Sequence, residues 1–283
     1  MDLNNFILII LLIIFSLAFY NYFLPILKKI NPKFLIDNQF TKPQAFHDYP
    51  ISTAGGLCIF ISLLIVYFYF ILFNKIISLE YFSFCFLFFA LGFLDDIKIN
   101  INPKIRLILM IIILIFLVKY SNFYIEKTGI EILNNWLQDS QLFSLIFICL
   151  CFLFIINGAN LVDGYNGLLG IHSLIILSNL FIINYLGENK DLANLLFFSI
   201  IILLLFLIFN FPKAKVFLGD SGSYFVGSFI AISTIKTSIL NPSISPFYFC
   251  ILLFYLFFEV FFSFFRKLLK EKTSPIHPDK KHL

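Results

Sequence analysis

Charge is what this sequence has least of. Of its 283 residues only 13% are Asp, Glu, Lys or Arg, while 60% are hydrophobic and the mean hydropathy is +0.97. These values lie outside the range of a water-soluble domain. No stretch is polar for long enough to build a sizeable soluble domain, so one polytopic membrane domain over 1–283 is expected. The net charge of +4 is too small to suggest nucleic acid as a partner. Cysteine is sparse as well. Cys58, Cys85, Cys149, Cys151 and Cys250 all fall in apolar segments without the spacing of a zinc site or a disulfide framework, and read as small core residues. The N-terminal stretch MDLNNFILIILLIIFSLAF has neither a basic n-region nor a small-residue cleavage site, so it reads as a retained first helix. Internal repeats and low-complexity linkers are also missing.

What fills the chain instead is a series of apolar runs long enough to cross a bilayer as helices. Hydropathy places nine spans near 6–27, 51–73, 79–94, 105–118, 141–156, 168–186, 191–210, 222–240 and 247–265. The expected fold is therefore an all-α membrane bundle. If the N-terminus is outside, 15 of the 20 Lys and Arg residues lie in the inner connections and the C-terminal tail. The positive-inside rule then puts the N-terminus out and the tail in the cytoplasm. The longest outer connection, about 119–140, holds the single tryptophan, Trp136, which reads as an interfacial anchor.

With this topology every polar or glycine-rich cluster faces inward. GFLDDIKIN closes the third span with Asp95 and Asp96. Two carboxylates at a helix C-terminus face the negative end of its dipole, so they are either a hydrated boundary marker or the partners of a cation. NGANLVDGYNGL closes the fifth span, with Asn157, Asn160 and Asp163 at a three-residue interval that puts them on one helical face. A turn between spans explains its glycines but not the apolar Leu-Val pair between the polar positions. KVFLGDSGS opens the eighth span, where Asp220 is either an N-cap or, with Gly219 and Ser221, part of a phosphate cradle. Hard oxygen donors from separate loops, beside amides suited to phosphate, point to magnesium bridging a diphosphate. No cysteine or histidine cluster competes for a softer metal. SPIHPDKKHL follows the ninth span with His277 and His282.

These motifs, in this order and on one side, resemble the polyprenyl-phosphate N-acetylhexosamine-1-phosphate transferase superfamily, glycosyltransferase family 4. NPKIRL (102–107), AGG (54–56) and Glu259 fit the resemblance too, and Asn166 stands where many relatives carry a second Asp. The tail and the first inner loop look most like the branch acting with undecaprenyl phosphate and UDP-GlcNAc, and less like the branch that makes the peptidoglycan lipid intermediate. The resemblance implies transfer of an N-acetylamino-sugar 1-phosphate from a UDP-sugar to undecaprenyl phosphate at the cytoplasmic face of a bacterial inner membrane, with release of UMP. It places further histidines and a tenth span beyond Leu283, and admits a homodimer.

By the same resemblance Asp220 and Asn160 hold Mg2+, for which Mn2+ can substitute. Asp95 or Asp96 orients or deprotonates the lipid phosphate, with Asp163 close by. Asn157, Gly219, Ser221, Lys42, Lys104, Arg106, Glu259, His277 and His282 are expected to contact substrate, with His47 a weaker addition and His172 a packed residue of the sixth span. The rival reading from another class is an ion-coupled transporter, since intramembrane carboxylates often mark ion paths. It gains if Asp95, Asp163 and Asp220 lie far apart.

Overall fold

The computed structural model describes residues 3–31, 34–37, 50–73, 79–99, 101–125 and 127–271. Lys42, His47, His277 and His282 lie outside these residues. The chain is an all-α bundle. It begins with α1 (Leu3–Ala18), a π-helical turn (Phe19–Phe23) and α2 (Leu24–Ile30), which run on as one helical stretch that is apolar through Leu27. There follow β1 (Ile36–Asp37), β2 (Ile51–Ser52), α3 (Gly55–Leu72), α4 (Leu79–Asp96), α5 (Pro103–Ser121), α6 (Glu131–Asp139) and α7 (Gln141–Val162). Next come α8 (Leu168–Leu186), α9 (Lys190–Asn210), α10 (Gly219–Leu240), α11 (Pro246–Leu252) and α12 (Phe254–Phe265), the last running into a second π-helical turn (Arg266–Glu271).

Apolar segments of this length become helices in lipid because a helix satisfies every backbone group internally. Local signals set the ends. Pro103 and Pro246 start α5 and α11, where the missing N–H has no partner to lose. Asn102 accepts a hydrogen bond from the Lys104 N–H, and Ser140 accepts one from the Phe143 N–H at the start of α7.

Among the described residues six helices are long and apolar enough to cross a membrane, or seven if the α11–α12 pair, bent by 61°, is one span. Each of the nine expected segments overlaps a helix, although 51–73 begins on β2, and two of the nine do not qualify as spans. These two, α4 and α5, carry three charged residues each: Glu80, Asp95 and Asp96 on one, Lys104, Arg106 and Lys119 on the other. Their charge sits at the helix ends, outside the apolar middle.

At the centre is α10, packed against α3, α4, α7 and α8. It is rich in Gly, Ser and Thr, as suits a helix buried in protein and surrounded by close backbones. Ser228, Thr234 and Thr237 turn their hydroxyls back to carbonyls one turn earlier. Large side chains such as Phe68, Ile112, Phe116 and Ile208 cover the outside of the bundle, where lipid tails would meet them. Trp136 is exposed on the short α6, edge-on to Phe143. All five cysteines are free; Cys250 is exposed, unlike the expected core position. His172 is packed edge-on to Tyr255 as expected, yet its Nε2 makes no hydrogen bond to a described residue.

Among the described residues one paired feature is not helical. β1 pairs antiparallel with β2, and β2 bridges in parallel to Val216 just before α10. The Phe217 N–H donates to Ser52 O, while the Gly55 and Gly56 N–H groups donate to Phe217 O and Leu218 O. The entrance of α3 is thereby laced to the entrance of α10.

Candidate active site

The paired aspartates separate because adjacent residues on a helix point about 100° apart. Asp96 lies one turn beyond Gly92 on the same face. A Cβ at Gly92 would collide with the Asp220 backbone and lie 2.6 Å from Ser221 Cα. Glycine therefore lets the start of α10 come against α4, and Asp96 then reaches over it. Asp96 Oδ1 accepts from the Asp220 N–H at 3.0 Å, and Oδ2 accepts from the Ser221 N–H at 3.0 Å and the Ser221 hydroxyl at 2.5 Å. Leu218, the residue preceding α10, gives it no side-chain cap; Asp96 supplies one from α4. The positive end of the α10 dipole offsets the unfavourable end of α4. Gly219, with φ of +77°, makes the turn into α10, where a side chain would meet the Asp96 carboxylate and Thr53 O.

Asp95, on the next face, meets Arg106 from α5. Arg106 Nη1 is 2.5 Å from Asp95 Oδ2 and 3.7 Å from Asp220 Oδ2. The Asp95 side chain is 13% exposed and that of Asp220 41%, so Asp220 is the more exposed of the two. The Asn160 side chain, from the end of α7, donates to Asp220 Oδ1 at 2.9 Å and to Ser223 Oγ at 2.9 Å. Its own carbonyl oxygen accepts nothing from a described residue. Asp163 caps the end of α7 through its N–H to Ala159 O. Asn210, buried at the end of α9, holds the α7–α8 turn: its Oδ1 accepts the Gly167 N–H at 2.6 Å and its Nδ2 donates to Val216 O at 2.8 Å.

The carboxyl groups sense one another. Burial first, and then the Asp220 charge, push Asp96 up to about 7, against the lowering effect of its three donors. Burial, followed by Asp220 and Asp96, holds Asp163 well above the ordinary carboxylate range. A cation introduced among these groups would reverse both shifts. Among the described residues no three His, Cys, Asp or Glu side chains stand ready to hold a metal by themselves. Asp220 offers hard oxygens, and Asn160, whose amide nitrogen faces Asp220 here, would add its own oxygen on turning the amide over, which fits an ion that completes its shell with water and phosphate.

The expected residues thus divide. Asp95, Asp96, Asp163, Asp220, Asn160 and Arg106 come together at one end of the bundle, on α4, α5, α7 and α10. Ser221 is buried and gives both its N–H and its hydroxyl to Asp96, so the amides that could have cradled phosphate already have an acceptor. Asn157 donates back to Leu153 O within α7. Lys104 is exposed at the start of α5, and Glu259 is buried on α12, the helix that packs on α7. Sequence reasoning missed Asn210 and Tyr224. An Asn ending an otherwise apolar helix, and a Tyr one turn after Asp220, were the available signals.

A membrane bundle that gathers carboxylates, an amide and an arginine from four helices at one end defines a class of intramembrane polar site. The family model for glycosyl transferase family 4 matches residues 78–238, which contain this whole cluster, and the chain belongs to that family. The undecaprenyl-phosphate alpha-N-acetylglucosaminyl 1-phosphate transferase of Thermotoga maritima is 30% identical over 236 residues, covering 83% of this chain and 67% of the relative. The phospho-N-acetylmuramoyl-pentapeptide-transferase of Dictyoglomus turgidum is 32% identical over 201 residues, covering 68% of this chain and 63% of its own length. That of Listeria monocytogenes serovar 1/2a is 36% identical over 158 residues, 53% of this chain and 48% of the relative. The chain therefore spans about half to two thirds of the length of these relatives.

Proposed function

We propose that the chain transfers an N-acetylamino-sugar 1-phosphate from a UDP-sugar, UDP-GlcNAc foremost, to undecaprenyl phosphate, with Mg2+, at the cytoplasmic face of a bacterial inner membrane. The product would start a lipid-linked envelope glycan. One observation carries the reading: Asp95, Asp96, Asp163, Asp220, Asn160 and Arg106, spread over 126 residues of sequence, converge at one end of the bundle. The transporter reading would have gained had Asp95, Asp163 and Asp220 lain far apart, and it gains nothing from this arrangement.

In the reaction an oxygen of the lipid phosphate attacks the sugar-bearing phosphorus of the donor. The bond from that phosphorus to the bridging oxygen breaks, and UMP leaves with the electron pair. Asp220 and the Asn160 carbonyl would hold magnesium, which when bound neutralises diphosphate charge. Arg106 would meet the remaining phosphate charge. Asp96 fixes the start of α10 and so the position of Asp220. Asp163 faces the same space with no hydrogen-bond partner among the described residues, which suits it to orient the lipid phosphate or take its proton. With a second phosphate pKa near 6 the acceptor needs little deprotonation, so positioning dominates.

The test incubates purified protein with UDP-GlcNAc, undecaprenyl phosphate and Mg2+, and measures UMP and lipid-linked sugar. Product formation that is abolished in a folded Asp220→Asn variant supports the reading. The 36% identity to the Listeria relative favours a second donor, UDP-N-acetylmuramoyl-pentapeptide, to be run in parallel. Absence of product with both donors from folded protein would overturn the proposal.

A further inference from the structure

The position of Arg106 asks for more than a phosphate contact. A single nitrogen, Nη1, lies between carboxylates from two helices, 2.5 Å from Asp95 on α4 and 3.7 Å from Asp220 on α10. This is where a small cation would sit if the two acids were to approach without repelling. The guanidinium also lies over an aromatic face, its carbon 5.7 Å from the centroid of Tyr224. Tyr224 is 0% exposed, stands one turn after Asp220 on α10, and keeps a buried hydroxyl with no partner among the described residues. The contact that the structure shows for Tyr224 at this site is therefore its ring face against the guanidinium. The contacts are unequal. Asp95 is half-buried and close, whereas Asp220 is more exposed and more distant.

We propose that Arg106 is the resident counter-ion of this site. Without a bound cation its single charge is shared between Asp95 and Asp220. A divalent cation taking Asp220 displaces it from that carboxylate alone, and Asp95 and the Tyr224 ring retain it at the rim, free to meet the incoming diphosphate. Tyr224 is the positioning residue in this exchange. The inference rests on the transferase reading for the identity of the ion and of the diphosphate, but the competition itself needs neither substrate.

The experiment measures Mn2+ binding to the full chain in nanodiscs by electron paramagnetic resonance of the free ion, with no donor or acceptor present. Removing a competing positive charge about 4 Å from the ligand should tighten binding roughly tenfold or more. Arg106→Gln is expected to show this gain, Arg106→Lys to stay near the parent, and Asp220→Asn to lose binding. Tyr224→Phe, which keeps the face, should bind as the parent does; Tyr224→Leu should move toward Arg106→Gln. An Arg106→Gln variant with unchanged or weaker binding overturns the proposal. Should that variant fail to fold, phenylglyoxal modification of Arg106 in the parent protein, read by peptide mass, decides: Mn2+ should speed it, and an unaltered rate counts against the exchange. Sugar transfer with flat competition sinks only the counter-ion, and competition without sugar transfer sinks only the transferase reading.

Discussion

The two adjacent aspartates should respond to the same substitution in opposite ways. Asp96 receives two backbone N–H groups and a hydroxyl at the start of α10. A hydrogen bond to a charged acceptor contributes about 1.5–3 kcal/mol, and an N-capping contact about 1 kcal/mol. One desolvated carboxylate makes all three bonds, and its own burial opposes ionisation, so the contributions do not add. Asp96→Ala should then cost on the order of 3 kcal/mol, and Asp96→Asn, which keeps one acceptor oxygen, about 2 kcal/mol. Asp95 makes one ion pair between partly exposed side chains, a contact worth about 0–1 kcal/mol. Asp95→Asn should therefore unfold like the parent while sugar transfer falls sharply. Unfolding in mixed micelles, beside the transfer assay, measures both quantities. Equal destabilisation by Asp95→Asn and Asp96→Asn, or an Asp96→Ala variant as stable as the parent, would refute the capping argument.

Three further outcomes follow from the same geometry. Gly92→Ala should push α10 away from α4 and cost about 1–3 kcal/mol, with transfer lost together with the Asp96 contacts; suppressed activity in an unstrained, fully stable variant would contradict it. Asn210→Ala removes two buried hydrogen bonds and should cost about 2–3 kcal/mol, seen as a lower unfolding midpoint. Asp163 has a raised folded-state pKa, so its neutral form favours the fold, and stability is lost as pH climbs from the ordinary carboxylate range toward the raised value. Asp163→Asn does not titrate; its melting advantage over the parent should grow with pH, and a constant difference would remove the argument.

Much of the bundle was legible because lipid imposes a simple rule: a segment with too few charges must be a helix about twenty residues long. The nine hydropathy segments overlap helices for that reason. The cluster was legible through the positions of Asp95, Asp163 and Asp220 at span ends. Other features left no such trace. β1 and β2 are two residues each, too short for an alternating pattern to register. α6 is a nine-residue amphipathic helix that a span-length hydropathy window averages away. The assignment of the N-terminal amides of α10 also needed three dimensions. GDSGS alone reads as a self-capped helix or an anion site, and only the arrival of α4 shows that the acceptor is Asp96. The roles of the two aspartates could not be told apart in the sequence, because their difference is which neighbouring helix each one faces.

The bond from the Asp220 N–H to Asp96 also has a meaning in time. Its partners are 124 residues apart, and a chain made from its N-terminus places α4 long before α10 exists. Until α10 arrives Asp96 lacks these three donors and Asp95 has, among the described residues, only Arg106, so water at the membrane surface would have to stand in for them. Closure of the cluster is thus a late event of biogenesis, and a nascent chain arrested before α10 should leave both aspartates open to carbodiimide labelling, which the finished protein would deny to Asp96.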